Sequence, residues 1–165
     1  MRTILIIFAL LFASAAIAQN NWIKFAPEDG GFEVMLPNPP KEQVETKKNF
    51  TSHTFSSLLD RNVFLVSYSD YNTAVTDPQK HLEANRDDFN KNLYAKPLTS
   101  RNITLNGQPG VEFTSEIPAA NIRSRIYLVG NRLYQLVNMT FKDSVDEKSG
   151  DQFLDSFHFV KKPNP

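Results

Sequence analysis

The sequence predicts an α+β domain with a central, mainly antiparallel β-sheet and helices packed on its faces. Residues 63–66 form the apolar run Val-Phe-Leu-Val, which is typical of a strand covered on both faces. Asn106-Gly107 and Gly130-Asn131 each separate two strand-like segments, as the turns of antiparallel hairpins do. Two further stretches, residues 78–93 and 143–157, have the apolar spacing of helices that could cover such a sheet.

Residues 1–18 are predicted to be a secretory signal peptide. Arg2 supplies the positive charge, residues 4–12 supply the apolar segment, and residues 16–18 (Ala-Ile-Ala) form a small-residue cleavage site. The apolar segment is shorter than the roughly 20 residues that span a bilayer, although an uncleaved membrane anchor is the alternative. We therefore expect an exported single domain of residues 19–165 without a membrane span, in the periplasm or outside a bacterial cell.

The composition excludes several classes of site. The sequence has no cysteine, which excludes disulfides, thiolate nucleophiles and thiolate zinc sites. Without Arg2, the 18 basic residues fall to 17, against 18 acidic ones. A net charge so close to zero gives no field that would attract nucleic acid or an anionic membrane, and we expect neither partner.

Two short strands are predicted near the start of the mature chain. Residues 22–25 (Trp-Ile-Lys-Phe) are closed by Pro27. Residues 32–36 alternate with a period of two between Gly30-Gly31 and Pro37, as a half-buried strand does.

Three more strands are predicted in the next part of the chain. Residues 41–48 and 50–59 are polar enough to lie at an edge of the sheet or to be partly solvated. Residues 62–71 contain the apolar run at 63–66 and are expected to form a central strand.

The first predicted helix has clear signals at its start. Asp77 is suited to cap the helix, with Pro78 at the first helical position. Thr76 with Gln79 is the alternative, as a capping box. The apolar stripe that follows consists of Leu82, Phe89 and Leu93.

Two hairpins and a second helix complete the prediction. The first hairpin has its turn within residues 106–110, and the second pairs residues 121–129 with 132–141 around a two-residue turn. Residues 143–157 are expected to be helical, with a late start because glycine is unfavourable at position 150. A last short strand is predicted at residues 157–160.

Four segments of the chain form a recognisable set. They are Gly-Gly-Phe at 30–32, Leu-Asn-Gly-Gln-Pro-Gly-Val-Glu-Phe at 105–113, the hairpin at 125–136 and Phe-Leu-Asp-Ser-Phe at 153–157. In these segments the chain resembles the Mog1/PsbP-like superfamily, which includes small exported bacterial proteins. The resemblance implies an α/β/α sandwich and a non-catalytic binding or assembly role. It implies no particular partner, because no motif for binding a photosystem or a nuclear GTPase is matched.

No catalytic or metal-binding pattern is present in the sequence. His53, His81 and His158 have no metal-ligand spacing, and the acidic residues lack the spacing of a calcium loop. No serine lies in a nucleophile elbow, and no glycine-rich phosphate loop follows a strand. We therefore expect no metal, no cofactor and no enzyme activity. A hydrolase acting on a cell-wall or extracellular polymer stays as the alternative, because paired carboxylates leave no local signature.

One face of the second hairpin is the candidate binding surface. Its turn predicts that Tyr127 lies opposite Tyr134 and Arg125 opposite Leu136. The face then presents Arg123, Arg125, Tyr127, Arg132 and Tyr134. Tyrosine and arginine are enriched at the centres of interfaces, and they suit carboxylates, phosphates or sugar rings. In the alternative, a helix covers this face and the arginine side chains pack beneath it with their tips in solvent.

These observations together predict an exported, non-catalytic binding or assembly domain. Its expected partner is an unidentified protein or an anionic component of the cell envelope. A structural subunit of an envelope complex is a further alternative, and the oligomeric state is left open.

Overall fold

A seven-stranded antiparallel sheet forms the centre of the computed structural model, which describes residues 22–144, 146 and 148–160. The strands are β1 (Ile23–Phe25), β2 (Phe32–Leu36), β3 (Lys41–Thr46), β4 (Phe50–Leu59), β5 (Asn62–Tyr71), β6 (Lys96–Leu105), β7 (Gln108–Ile117), β8 (Ala120–Val129), β9 (Arg132–Phe141) and β10 (His158–Phe159). The helices are α1 (Pro78–Asn92) and α2 (Lys148–Ser156). The large sheet has the order β3-β4-β5-β9-β8-β7-β6, and β1, β2 and β10 form a small antiparallel sheet with β2 in the middle. The predicted signal peptide lies outside the described residues.

Strand β5 is an inner strand, as its apolar run predicted, and lies between β4 and β9. The alternating side chains Phe64, Val66 and Tyr68 are buried on one face of the sheet. Leu65 and Ser67 therefore point to the other face. The weaker prediction for residues 41–48 is also confirmed, because β3 is an exposed edge strand.

Both predicted hairpins are present. At Gly130, φ is +59°, and Tyr127 lies opposite Tyr134 in the register that a two-residue turn requires. The first turn is shorter than predicted, because it contains Asn106 and Gly107 alone, with φ of +51° and +77°. Two successive positive φ values close a two-residue turn, so the strand resumes at Gln108 instead of after residue 110.

Helix α1 begins where the sequence predicted. The side chain of Asp77 accepts a hydrogen bond from the backbone N–H of Lys80 at 3.1 Å, and Pro78 occupies the first turn. Leu82 is fully buried in a cluster with β7, β8 and β9 that includes Phe113 and Ile126. Leu93 lies at the C-cap and is exposed, so the apolar stripe ends earlier than predicted.

Helix α2 starts at Lys148, later than position 143. The carboxylate of Asp146 accepts a hydrogen bond from the backbone N–H of Ser149 at 3.1 Å and so occupies the N-terminal end of the helix. Phe153 and Leu154 are buried, and the helix contacts β2, β5 and β9. The predicted last strand is present as β10, which pairs with β2.

The two helices contact opposite faces of the large sheet. Ile126 and Leu128 belong to the cluster beneath α1, whereas Tyr127 between them belongs to the cluster that contains Phe153 of α2. The small sheet shares the α2 side, where Phe32 of β2 is fully buried. That side is therefore covered by strands as well as by a helix. No helix among the described residues has the length and apolar character needed to cross a membrane.

Candidate functional site

The face of the large sheet beneath α1 is covered over only part of its width. Helix α1 contacts β7 and β8, and the side chains packed there are apolar. Strands β4 and β5 lie two to three strands further along the sheet. On that part of the face the side chains are hydroxyls and an amide: Ser52, Thr54, Ser67, Ser69 and Gln135. They form the floor of an open groove beside α1, which we call the hydroxyl groove.

The walls of the hydroxyl groove are polar as well. Helix α1 contributes Asn85, Asp88 and Asn92 on one side, and the end of the β3–β4 hairpin contributes Glu45 and Lys47 on the other. The volume of the groove is about 550 Å³. Sites for small ligands generally have volumes of roughly 300–1,000 Å³, so the groove is large enough to hold one.

Aromatic rings line one end of the groove. Phe50 and Tyr71 lie opposite each other on β4 and β5, with ring centroids 5.6 Å apart. The hydroxyl of Tyr71 donates a hydrogen bond of 3.2 Å to Asn85, which in turn donates one of 2.8 Å to the backbone carbonyl of His81. These bonds hold the tyrosine ring in a fixed orientation against the helix. Burial raises the pKa of the Tyr71 hydroxyl, so it stays a neutral donor.

His81 lines the hydroxyl groove on the α1 side. Its ring contacts Tyr71 edge-on, with centroids 4.6 Å apart, and it also lines a neighbouring pocket together with residues 73–77. Burial lowers the pKa of His81, which favours the neutral imidazole. Its Nε2 atom is buried and has no hydrogen-bond partner among the described residues.

The floor contains one row of polar side chains without hydrogen bonds to other described residues. Ser67 is in register with Thr54 on one side and with Gln135 on the other. No described residue forms a hydrogen bond with any of these three side chains. By contrast, Ser69 in the next row donates a 2.9 Å hydrogen bond to Ser52. Neighbouring strands are about 4.8 Å apart, so the row of Thr54, Ser67 and Gln135 offers three adjacent polar groups.

The tyrosines of the predicted binding face are in the core instead of at the surface. Tyr127 and Tyr134 are each 5% exposed. Tyr127 is stacked on Phe157, with centroids 5.8 Å apart, and the hydroxyl of Tyr134 donates a 3.0 Å hydrogen bond to the carbonyl of Gly30. This is the covered arrangement described above as the alternative, with α2 and the small sheet as the cover.

Arg125 connects strands β7 and β8 to helix α2. It forms ion pairs with Glu112 at 2.6 Å and with Asp155 at 2.9 Å, and it donates a 2.8 Å hydrogen bond to the carbonyl of Leu154. Burial alone would raise the pKa of Glu112, but hydrogen bonds from Arg125 and Arg101 hold it below its ordinary value. The guanidinium group of Arg125 is therefore committed to the protein itself.

The other two predicted arginines also pair within the chain. Arg132 forms two hydrogen bonds with Asp70, and the resulting interaction raises the pKa of Arg132 further above its ordinary value. Arg123 pairs with Asp151 of α2 at 2.6 Å. The structure thus brings the five predicted residues together on one face and uses them to attach α2 and the small sheet. A binding role for them stays a prediction.

The hydroxyl groove was not predicted from the sequence, although the spacing of hydroxyl residues on β4 and β5 indicates its polar floor. Ser52 and Thr54 on β4, and Ser67 and Ser69 on β5, occupy every second position of two neighbouring strands. Such spacing indicates a polar sheet face. A groove requires in addition a wall beside that face, and the position of α1 over β7 and β8 depends on contacts distant in sequence.

The three histidines lie in different places and contact different residues. His53 lies 2.9 Å from Glu42, His158 lies 3.2 Å from Glu33, and His81 borders the groove. Across the ranges 22–144, 146 and 148–160, no three histidine, cysteine or acidic residues are grouped so that they could hold a metal ion.

Comparison with solved structures identifies the fold. The solution structure of cyanobacterial PsbP (CyanoP) from Synechocystis sp. PCC 6803 is similar over 91% of this chain and 99% of that chain, with a TM-score of 0.60 and 13% sequence identity. The chain has a Mog1/PsbP-like fold. The fold that the resemblance in the sequence segments implied is thereby confirmed. A crystal structure from Bacteroides thetaiotaomicron VPI-5482 is similar over 84% of this chain and 48% of that chain, with a TM-score of 0.44 and 13% identity. No protein-family model and no curated protein matches the sequence.

Proposed function

We propose that residues 19–165 form an exported, non-catalytic binding domain whose contact surface is the hydroxyl groove. Export rests on the predicted signal peptide at residues 1–18, which would direct the domain to the periplasm or the exterior of a bacterial cell. The Mog1/PsbP-like fold supports a binding or assembly role. In this proposal the fold is an α/β/α sandwich in which the α1 layer leaves part of the sheet open.

The observation that carries the proposal is the unused row on the groove floor. An antiparallel sheet commonly has one face packed on the core and the other in solvent, and here a helix stands beside the solvated part of the second face. Here the face changes along β5 from Leu65, which packs on an apolar cluster, to Ser67 and Ser69, which line the groove. The polar side chains of Thr54, Ser67 and Gln135 have no partner within the described part of the chain, so they are free to bind a ligand.

The contact surface differs from the one predicted in the sequence. The guanidinium groups of Arg125 and Arg132 are paired with carboxylates of the same chain, and the two tyrosines are buried. A partner that used them would first have to displace α2 or the small sheet. The groove requires no such displacement, and it still lies on a sheet face.

A hydrolase is the second candidate, because two carboxylates line the same groove. Asp88 is on the α1 wall and Glu45 is on the opposite side of the floor. Polymer hydrolysis by paired carboxylates requires one of them to be kept protonated by a desolvated environment. Both residues are exposed, and Glu45 forms an ion pair of 3.2 Å with Lys47. Binding without catalysis therefore agrees better with this groove.

Co-sedimentation with washed envelopes of the source bacterium tests the proposal. We expect the purified domain to sediment with the envelopes, and we expect the groove-filling variant Ser67→Phe to stay in the supernatant. Thr104→Phe is the matched control, because Thr104 is exposed on the far edge strand β6. Circular dichroism melting curves check that both variants fold.

The same assay separates the alternatives. Release of soluble fragments from the envelopes by the wild-type domain would establish a hydrolase and contradict the proposal. Equal sedimentation of the Ser67→Phe and wild-type proteins would remove the groove as the contact surface. Mass spectrometry of the native protein checks the export step, for which we expect an amino terminus at Gln19.

A further inference from the structure

We infer that the hydroxyl groove binds an uncharged oligosaccharide. This inference rests on the proposed function and specifies the chemistry of the ligand. Thr54 and Ser67 can each donate and accept hydrogen bonds, and Gln135 has both a donor and an acceptor end. A sugar presents the same mixed groups on neighbouring carbon atoms, so a row of adjacent hydroxyl and amide groups matches it.

The charges around the groove argue against an anionic ligand. Lys47 is the cationic side chain that lines the groove among the described residues, and it already pairs with Glu45. Asp88 adds a second carboxylate on the α1 wall. A phosphate or carboxylate ligand would lie near the carboxylates of Glu45 and Asp88 and near one lysine that is already ion-paired. Like charges brought together oppose binding. A neutral ligand meets no such penalty.

The floor also argues against an extended peptide. A peptide binds to a sheet by main-chain hydrogen bonds when it adds a strand to a free edge. Strands β4, β5 and β9 are paired on both sides, so their main-chain groups are occupied. The groove therefore offers only side-chain groups, from Thr54, Ser67 and Gln135, which suit a ligand recognised through its own hydroxyl groups.

The aromatic end of the groove provides the remaining element of a sugar site. Phe50 and Tyr71 both line it, and the hydrogen bond from Tyr71 to Asn85 fixes the tyrosine ring before a ligand arrives. The faces of aromatic rings accept the apolar C–H surface of a sugar ring, while hydroxyl groups at its rim need polar partners. Prior fixation of the ring reduces the entropy lost on binding.

Nuclear magnetic resonance titration of the ¹⁵N-labelled mature domain tests the inference. The probes are a panel of neutral hexasaccharides (cellohexaose, xylohexaose, maltohexaose, laminarihexaose and chitohexaose), with oligogalacturonate as the anionic comparison and a neutral hexapeptide as the peptide comparison. We expect at least one neutral sugar to shift the resonances of Thr54, Ser67 and Gln135. The double variant Ser67→Ala/Gln135→Ala should weaken that affinity about tenfold or more, because two hydrogen bonds are lost. Thr104→Ala should leave it unchanged.

The outcomes distinguish this inference from the proposed function. The inference is overturned if no neutral sugar shifts any resonance, or if the shifted resonances map to another surface. It is also overturned if oligogalacturonate or the peptide binds in place of the sugars. If Ser67→Phe nevertheless abolishes sedimentation with envelopes, the proposed function stands and only the ligand chemistry is wrong. If Ser67→Phe sediments like the wild-type protein, the groove itself is not the binding site.

Discussion

Arg132 and Asp70 face each other across strands β9 and β5 and are joined by two hydrogen bonds, of 2.6 and 2.7 Å. The same guanidinium group donates to the carbonyls of Asp29, at 2.5 Å, and Gly30, at 3.1 Å, and it lies 4.5 Å from the ring centre of Tyr68. One side chain therefore links two inner strands of the large sheet to the turn that precedes β2.

Substitution of Arg132 by lysine tests this link. Lysine keeps the positive charge but cannot form the paired bonds to Asp70 and reach the turn at the same time. We expect Arg132→Lys to lower the free energy of unfolding by about 1–3 kcal/mol, measured by urea denaturation. Arg61→Lys is the control, because Arg61 pairs with Asp143 at the surface, where the change should stay below about 1 kcal/mol. Equal losses in both variants would contradict the special role of Arg132.

Two arginines at the α2 interface should differ in the same way. Arg125 bonds Glu112, Asp155 and a helix carbonyl, whereas the ion pair of Arg123 among the described residues is with the exposed Asp151. We expect Arg125→Met to cost about 1.5–3 kcal/mol of unfolding free energy and to speed hydrogen exchange in α2. Arg123→Met should cost under about 1 kcal/mol. If the two variants exchange equally fast in α2, the attachment of the helix does not depend on Arg125.

Stability should depend on pH through His81. Because burial lowers the pKa of His81 below 6.5, the unfolded chain takes up a proton there before the folded protein does. The free energy of unfolding is then constant above about pH 6.5 with respect to this group, and it falls as the pH drops through the folded value. His81→Gln should remove this fall. Parallel pH profiles for the two proteins would show that His81 does not contribute.

A second loss of stability is expected at lower pH in both proteins. Hydrogen bonds from lysine residues lower the pKa of Glu33 and of Glu116, and the arginine pair lowers that of Glu112 against the effect of burial. These carboxylates are deprotonated more readily in the folded state, so their contribution is present above pH 4.5 and disappears as the pH falls through their folded values. The His81→Gln variant provides the reference curve in which only this second phase is seen.

Gly107 and Gly110 of the first hairpin should respond differently to substitution by alanine. A Cβ atom at Gly110 would lie 2.6 Å from the backbone oxygen of Ile126 and 2.5 Å from the Tyr127 ring. A Cβ atom at Gly107 would meet nothing within 4 Å, although φ there is +77°. We expect Gly110→Ala to cost about 1–3 kcal/mol through overpacking and Gly107→Ala about 1 kcal/mol through backbone strain. Thermal melting of both variants checks the order.

Local chemistry explains which parts of the fold could be predicted. The pairing of Tyr127 with Tyr134 follows from a two-residue turn, and the start of α1 follows from Asp77 and Pro78. Both features depend on residues close in sequence. The late start of α2 was anticipated from Gly150, but its position at Lys148 depends on Asp146 as the cap.

The candidate site could not be predicted in the same way. The row of Thr54, Ser67 and Gln135 is assembled from three strands, and its wall is a helix whose position is set by packing against Phe113 and Ile126. The burial of Tyr127 likewise depends on Phe157, which lies 30 residues later in the chain. The alternation of side chains along a strand shows which residues share a face of the sheet. Which element covers that face depends on contacts between residues distant in sequence.

The position of β2 has a consequence for how the native state is reached. This strand is bordered by β1 on one side and by β10 on the other, and its partners in β10 lie 125 and 127 positions downstream. A chain that is synthesised from its amino end cannot complete the β1-β2-β10 assembly until residues 157–159 have left the ribosome. Completion of the small sheet then depends on Phe157, His158 and Phe159 reaching β2, and pairing over so great a sequence separation makes this closing step slow.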